Sequence, residues 1–444
     1  MGQFVRDTAF TAITGILTFV IGLSTSIILA RLLGPEGRGV YAMATLLPSL
    51  IVTFVHLGIG PATVFYTAKG YYSQREILGS NILLSFIVGI VGLIAGFIVI
   101  LFRESLFPNI AYEYLLIALG MIPLNLFFWY LRYILLGVQR FKEYNMMDIF
   151  QSLFFLILIA LALWSLGMGV RGALLAGIFA WILTDIVVFF WAHKVAGGIS
   201  LKPNVSYLKD AVVYGAQAHL ASILGFLNYR VDMFLVNWFL NPVAVGFYAI
   251  SVGLVEKLWL ISQAASVVLF PKVAAEADEL RRKEFTPLIT RTILWATALA
   301  ALILFFLTYH IIALLYSEAF IPSVRPLQIL LPGIVALSVW RLLANDLAGR
   351  GRPMLNTYIT GIAVLANVWL NVLLIPKYGI EGAAWASTAS YGIAFLVILF
   401  VYCRISGNSW AKVLLLQRGD WALYRRTAET LVRGVLRWVS KDVF

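Results

Sequence analysis

The chain has 444 residues, is 61% hydrophobic and only 12% charged, and its mean hydropathy is +0.92. Such a composition excludes a water-soluble globular domain and a disordered chain, and it describes a multi-pass membrane protein. The net charge of +12 needs no nucleic acid to explain it, because the basic residues gather between apolar runs, and a single cysteine, Cys403, rules out an internal disulfide framework.

Only Arg6 precedes the first apolar run, and no small-residue cleavage site follows a short apolar core. The first helix is therefore expected to stay in the mature chain. The apolar runs predict an all-α protein with twelve membrane helices, at about 8–31, 39–66, 79–102, 112–136, 146–167, 172–194, 209–239, 243–270, 288–316, 323–347, 354–375 and 382–403. Turn chemistry separates them: Gly34-Pro35, Gly197-Gly198, Asn241-Pro242 and Gly351-Arg352-Pro353. Lys and Arg crowd the even-numbered loops and the tail, with Arg6 at the N-terminus, while the odd-numbered loops hold only Arg31, Arg38, Arg103, Arg171, Arg325 and Lys377. That asymmetry predicts both termini on the cytoplasmic side, and the membrane expected is the cytoplasmic (inner) one. After Cys403, Ala428, Leu431, Val432, Val435, Leu436 and Val439 follow helical spacing, with Arg426, Arg433 and Arg437 elsewhere on the wheel. The tail reads either as an amphipathic helix lying on anionic headgroups or as a frayed end.

The stretch "LLGPEGRGVYAMA" at 32–44 has an echo in "FLNPVAVGFYAIS" at 239–251. With Leu33 set on Leu240, Pro35 falls on Pro242, Gly39 on Gly246, Tyr41 on Tyr248 and Ala42 on Ala249: L-x-P-x-x-x-G-x-Y-A, twice. "GVRGA" at 169–173 repeats as "GIEGA" at 379–383. Two six-helix halves related as parallel repeats follow from this pattern, and such a pair with a cavity between the halves suits a transporter. The organisation expected is an N-terminal lobe at 1–195, a cytoplasmic linker at 196–208, a C-terminal lobe at 209–403 and a basic tail at 404–444. No Walker-type loop, H-E-x-x-H pair or Cys/His cluster occurs, and the loops are too short for a catalytic domain. Neither an enzyme, nor a metal site, nor a bound cofactor is expected.

Ionisable residues at membrane depth are expensive, so they are candidates for function. Arg230 and Asp232 in "LNYRVD" and Glu256 and Lys257 in "GLVEKLW" sit at similar depths on adjacent helices. Arg230 pairs there with Glu256, or Asp232 with Lys257. The cluster either lines a cavity, with Arg230 or Lys257 facing an anionic substrate, or locks two helices together. Arg132 and Arg341 are approximate repeat mates; they read either as a pair of forks for a diphosphate or as helix-end residues reaching lipid phosphates. Asp185, alone in the middle of its helix, is a proton-site candidate, as are Asp232 and Glu256; His56 and His219 are titrating or packing groups. Asn356, Thr360, Asn367 and Asn371 make a polar stripe on one helix, lining a cavity or joining helices.

The residues "ILARLLGPEGRGVYAMATLLPSL", with "LNYRVDMFLVNWFLNPVAVGFYAISVGLVEKLWLISQAASVVLFPKVA" and "GRGRPMLNTYITGIAVLANVWLNVLLIPKYGIEGAAWAS", resemble Wzx-type polysaccharide flippases of the multidrug/oligosaccharidyl-lipid/polysaccharide exporter superfamily. The resemblance runs from about residue 4 to about residue 420 in loose motifs whose order and spacing are specific. It implies two lobes around a cationic cavity whose opening alternates, and a polyprenyl-diphosphate-linked oligosaccharide as substrate. The partners it implies are membrane lipids, a proton or Na+ as coupling ion, and other polysaccharide-assembly proteins. An ion-coupled multidrug exporter of the same superfamily is the alternative, which Asp185, Asp232 and Glu256 leave open.

Overall fold

The computed structural model describes residues 2–275 and 278–420. Among them there is no strand. The helices are α1 Gly2–Val55, α2 Ile59–Lys69, α3 Gln74–Leu101, α4 Arg103–Leu106, α5 Tyr112–Leu119, α6 Met121–Gly137, α7 Phe141–Ala160, α8 Gly169–Ala196, α9 Val205–Phe239, α10 Pro242–Val255, α11 Trp259–Ala275, α12 Glu279–Tyr316, α13 Val324–Gly349, α14 Pro353–Ser406 and α15 Trp410–Leu414. Nine segments of the described residues are long and apolar enough to cross a membrane, and the chain is a multi-pass membrane protein.

Helices α1 and α14 each have 54 residues. Straight, such a helix is about 81 Å long, against a hydrocarbon core of about 30 Å. Both break at one glycine: Gly34 (φ 66°, ψ −177°) in α1 and Gly379 (φ 58°, ψ −138°) in α14. These positive φ angles strain any side chain, and glycine takes them freely. The polar stretch expected as an open turn over 32–38 is thus a single non-helical residue. Helical backbone resumes at Pro35, in a first turn where a missing N–H costs nothing. The twelve-span reading asks each broken helix to cross twice, and asks α9, which lies outside the nine segments, to cross as well.

Side-chain caps set other ends, and of these the Asn241-Pro242 signal was read from sequence. Asn241 Oδ1 accepts from the Ala244 N–H at 2.9 Å, with Pro242 first in α10, and Asn204 caps α9 in the same way at 3.0 Å. Ser73 and Glu76 form a reciprocal capping box on α3. The helix expected over 243–270 is interrupted: α10 ends at Val255, and one tight turn, Glu256–Leu258, precedes α11. The break falls on the two charged residues of that helix.

The chain divides into two compact units. The first comprises Met1–Lys257, Phe305–Leu331 and Thr360–Ser390. Its helices close on small residues, and the repeat motif lies at the tightest point. A Cβ on Gly39 would meet the Pro242 carbonyl oxygen at 1.7 Å, and one on Gly246 would meet that of Pro35 at 2.0 Å. Pro and Gly of each motif copy thus pack on Gly and Pro of the other. Small residues permit this approach, which larger ones prevent.

The second unit comprises Leu258–Leu304, Pro332–Ile359 and the chain from Tyr391. Leu269, Val273 and Leu342 centre its apolar cluster, with Phe285 and Ile289 packed against them. The start of the tail is fastened to α12. Buried Arg291 grips Asp420 through two bonds of 2.6 and 2.5 Å, and Trp295 Nε1 donates to the Leu414 carbonyl at 3.0 Å. The expected amphipathic tail helix lies outside the described residues.

Candidate functional site

The charged residues of α9 and the turn after α10 separate into two sites. Arg230 meets Glu256: Nη1 to Oε1 at 2.6 Å and Nη2 to Oε2 at 3.3 Å, with side-chain exposures of 32% and 19%. Of the two pairings that the sequence permits, this is the one formed. Lys257 points its ammonium at the Phe19 ring, 5.5 Å from the centroid. Among the described residues no carboxylate pairs with it.

Asp232, two residues along α9 from Arg230, faces another way and is 2% exposed. Its Oδ1 accepts from the Met233 N–H at 2.7 Å, and its Oδ2 accepts from Tyr248 Oη at 2.7 Å and Ser387 Oγ at 3.1 Å. Asn367 extends the network, donating to Ser387 and Ser390 at 3.2 Å, and Asn371 Nδ2 donates to Asn367 Oδ1 at 2.9 Å. All these side chains are buried, and Asn371 Oδ1 has no partner among the described residues. The inner half of the predicted polar stripe is therefore part of the Asp232 site, whereas Asn356 donates to the Ala344 carbonyl at 2.7 Å. Tyr248 and Ser387 were not singled out from the sequence as site residues. The recurrence of Tyr248 in the repeat was the available signal.

Arg132 does not reach for lipid phosphates. It is 3% exposed, with both ends of its fork on Asp148, at 2.7 and 2.5 Å, and the Tyr144 ring 4.0 Å from its guanidinium carbon. Asp148 was overlooked in sequence, although it is an acid within the predicted fifth helix. Arg341 lies over the Trp259 ring at 4.1 Å in the second unit. Asp185 on α8 is 7% exposed, and neither carboxylate oxygen has a partner among the described residues. His219 donates from Nε2 to the Phe54 carbonyl at 3.0 Å, and its ring stands edge-on to His56 with centroids 4.8 Å apart. Arg38, counted in sequence among the basic residues of the odd-numbered loops, is half-buried and sits 5.8 Å from the Tyr41 ring centroid. Among the described residues no three His, Cys, Asp or Glu side chains gather as a metal site would require.

Residues 4–277 match the family model described as polysaccharide biosynthesis protein. The chain belongs to the polysaccharide biosynthesis protein family. The resemblance to polysaccharide flippases carried by its sequence motifs therefore has an independent match behind it. Two relatives are a probable low-salt glycan biosynthesis flippase, Agl15, of Haloferax volcanii and the capsular polysaccharide biosynthesis protein CapF of Staphylococcus aureus. Agl15 is 24% identical over 51% of this chain and 50% of its own length, so the match spans about half of that relative. CapF is 22% identical over 90% of this chain and 100% of its own. In fold, this polysaccharide biosynthesis family chain is similar to the lipid II flippase MurJ in an inward closed conformation, with a TM-score of 0.74 and 16% identity over 88% of this chain and 87% of the other. It is also similar to an inward-facing multidrug resistance MATE family transporter of the MOP superfamily, with a TM-score of 0.71 and 14% identity over 88% and 94%.

Proposed function

We propose that the chain is a flippase that moves a polyprenyl-diphosphate-linked oligosaccharide across the cytoplasmic membrane by alternating access, for surface polysaccharide assembly. The observation that carries this reading is the polysaccharide biosynthesis match lying on a fold like that of a lipid II flippase. Agl15 is named as a glycan biosynthesis flippase and CapF as a capsule biosynthesis protein, and both names fit a sugar-bearing lipid as cargo. The physics is consistent. A diphosphate and its sugars pay a prohibitive desolvation cost in hydrocarbon, so they need a shielded polar path, while the polyprenyl tail stays in lipid.

Lys257 supports an anionic cargo. Arg230 is paired with Glu256 and Asp232 is held by hydroxyls and a backbone N–H, whereas Lys257 faces an aromatic ring and makes no ion pair with a carboxylate among the described residues. We assign Lys257 and Arg230 to the diphosphate, and Arg132 to holding α6 against α7 through Asp148. The Asp232 network is assigned to the coupling ion, a proton or Na+. It offers a carboxylate together with the open oxygen of Asn371. Both termini are assigned to the cytoplasmic side on the distribution of Lys and Arg, and the two six-helix halves to the alternating lobes on the repeat.

The second reading, an ion-coupled multidrug exporter, draws on Asp185, a buried carboxylate that suits a cation. Inverted vesicles carrying the chain separate the two readings. The flippase reading expects no ion-driven accumulation of a fluorescent organic cation and saturable binding of a polyprenyl-diphosphate saccharide, weakened at least tenfold by Lys257→Ala. Cation accumulation together with indifference to that lipid overturns it.

A further inference from the structure

Inside the first unit a cavity of about 180 Å³ opens between α1, α6, α7 and α8. Six side chains set its chemistry: Tyr41, Thr45 and Ser49 on α1, Asn125 on α6, Gln151 on α7 and Trp181 on α8. The three on α1 are spaced by four, which keeps them on one helical face. No lining residue is charged.

The polar atoms are partly committed. Thr45 Oγ1 donates to the Tyr41 carbonyl at 2.8 Å and Ser49 Oγ to that of Thr45 at 2.9 Å, so both hydroxyls meet the cavity as acceptors. Asn125 donates to the Met121 carbonyl at 3.2 Å, which leaves its own carbonyl oxygen open. Gln151 has no hydrogen bond among the described residues, so its amide offers both donors and an acceptor. The aromatic wall is braced, with the Trp181 ring 5.1 Å edge-on from Phe128. Charged residues flank the cavity at one end. Asp148 lies three residues before Gln151 and is paired with Arg132, seven residues after Asn125, while Asp185 lies four residues after Trp181. Along α6, α7 and α8 alike, these steps lead toward the end that carries Arg140, Lys142 and Lys194.

A hydrocarbon tail leaves the Gln151 amide and the open acceptors unmet. A diphosphate or a drug cation finds no opposite charge in the wall. The size is below the roughly 300 Å³ at which pockets for drug-sized ligands begin. What fits is a small neutral ring with hydroxyl donors and acceptors on its edge and an apolar face for Trp181 and Tyr41. We propose that this cavity is a saccharide subsite that receives one neutral sugar ring of the lipid-linked glycan, which rests on the flippase reading above.

The test uses the purified full chain and two probes, a bare polyprenyl diphosphate and the same lipid carrying one N-acetylhexosamine. Wild type binds the sugar-bearing lipid more tightly than the bare one. Gln151→Leu weakens the sugar-bearing lipid by about tenfold, the worth of one or two hydrogen bonds, and leaves the bare lipid unchanged. Ser49→Ala, on an exposed residue and with little demand on folding, gives a smaller loss in the same direction. Equal binding of both probes by wild type, or equal loss of both in Gln151→Leu, overturns the subsite. Failure of wild type to bind either probe overturns the flippase reading itself.

Discussion

The two copies of L-x-P-x-x-x-G-x-Y-A have the same backbone task and opposite polar surroundings. In the first copy Tyr41 borders a cavity of about 180 Å³. In the second, Tyr248 is fully buried and donates to Asp232. The offset that superposes the motifs sets Thr25 on Asp232, and Thr25 spends its hydroxyl on the Ile21 carbonyl of its own helix at 2.9 Å. A carboxylate in one copy draws in Tyr248 and Ser387 and closes the space; a self-satisfied hydroxyl in the other recruits nothing. The repeat therefore preserves what the helices must do to pack, while the differences between its copies carry the chemistry.

Breaking the shared part has the largest effect. Gly39→Leu or Gly246→Leu places side-chain atoms on a facing carbonyl, so folded protein is lost, with a cost above about 4 kcal/mol; size-exclusion of a fluorescent fusion reads this directly. The next effect separates the copies. Tyr248→Phe strips a donor from buried Asp232 and costs roughly 1–3 kcal/mol, whereas Tyr41→Phe stays within about 0.5 kcal/mol; paired thermal-melt measurements check the asymmetry. Arg230→Ala breaks a half-exposed ion pair worth at most about 1 kcal/mol of stability, and it impairs translocation while the protein still inserts, which expression and transport measured together will show.

The last prediction concerns pH and a carboxylate held by an arginine. The Arg291 bond holds Asp420 below the usual carboxylate range. Because its folded value is depressed, its stabilisation is complete above the unfolded value near 3.9 and fades as pH falls through the folded one. Hydrogen exchange in residues 407–420 should be flat from pH 5 to 8 apart from intrinsic rates, with protection lost only in stronger acid, and Asp420→Asn should lose it at neutral pH.

The architecture was legible because its signals are local. Apolar runs of membrane length, Asn241-Pro242 and the Gly34-Pro35 break are each written in consecutive residues. The Arg230–Glu256 pair was legible as one of two options, since helical rise sets depth but does not choose a partner. Asp148 beneath Arg132 and Ser387 beside Asp232 were not legible, because each contact joins separate helices, and only packing decides which faces meet. The tight turn at Glu256–Leu258 was missed for a related reason: the run is apolar on both sides and carries no Pro at the break, and the nearby Gly253 lies within α10.

The most direct test of the proposed function is translocation itself. Liposomes containing the purified chain and a fluorescent polyprenyl-diphosphate saccharide, placed in one leaflet, are treated with a membrane-impermeant quencher. The account predicts protein-dependent movement to the other leaflet, accelerated by an imposed proton or Na+ gradient, with that acceleration lost in Asp232→Asn. A wild-type rate no faster than that of protein-free liposomes contradicts it.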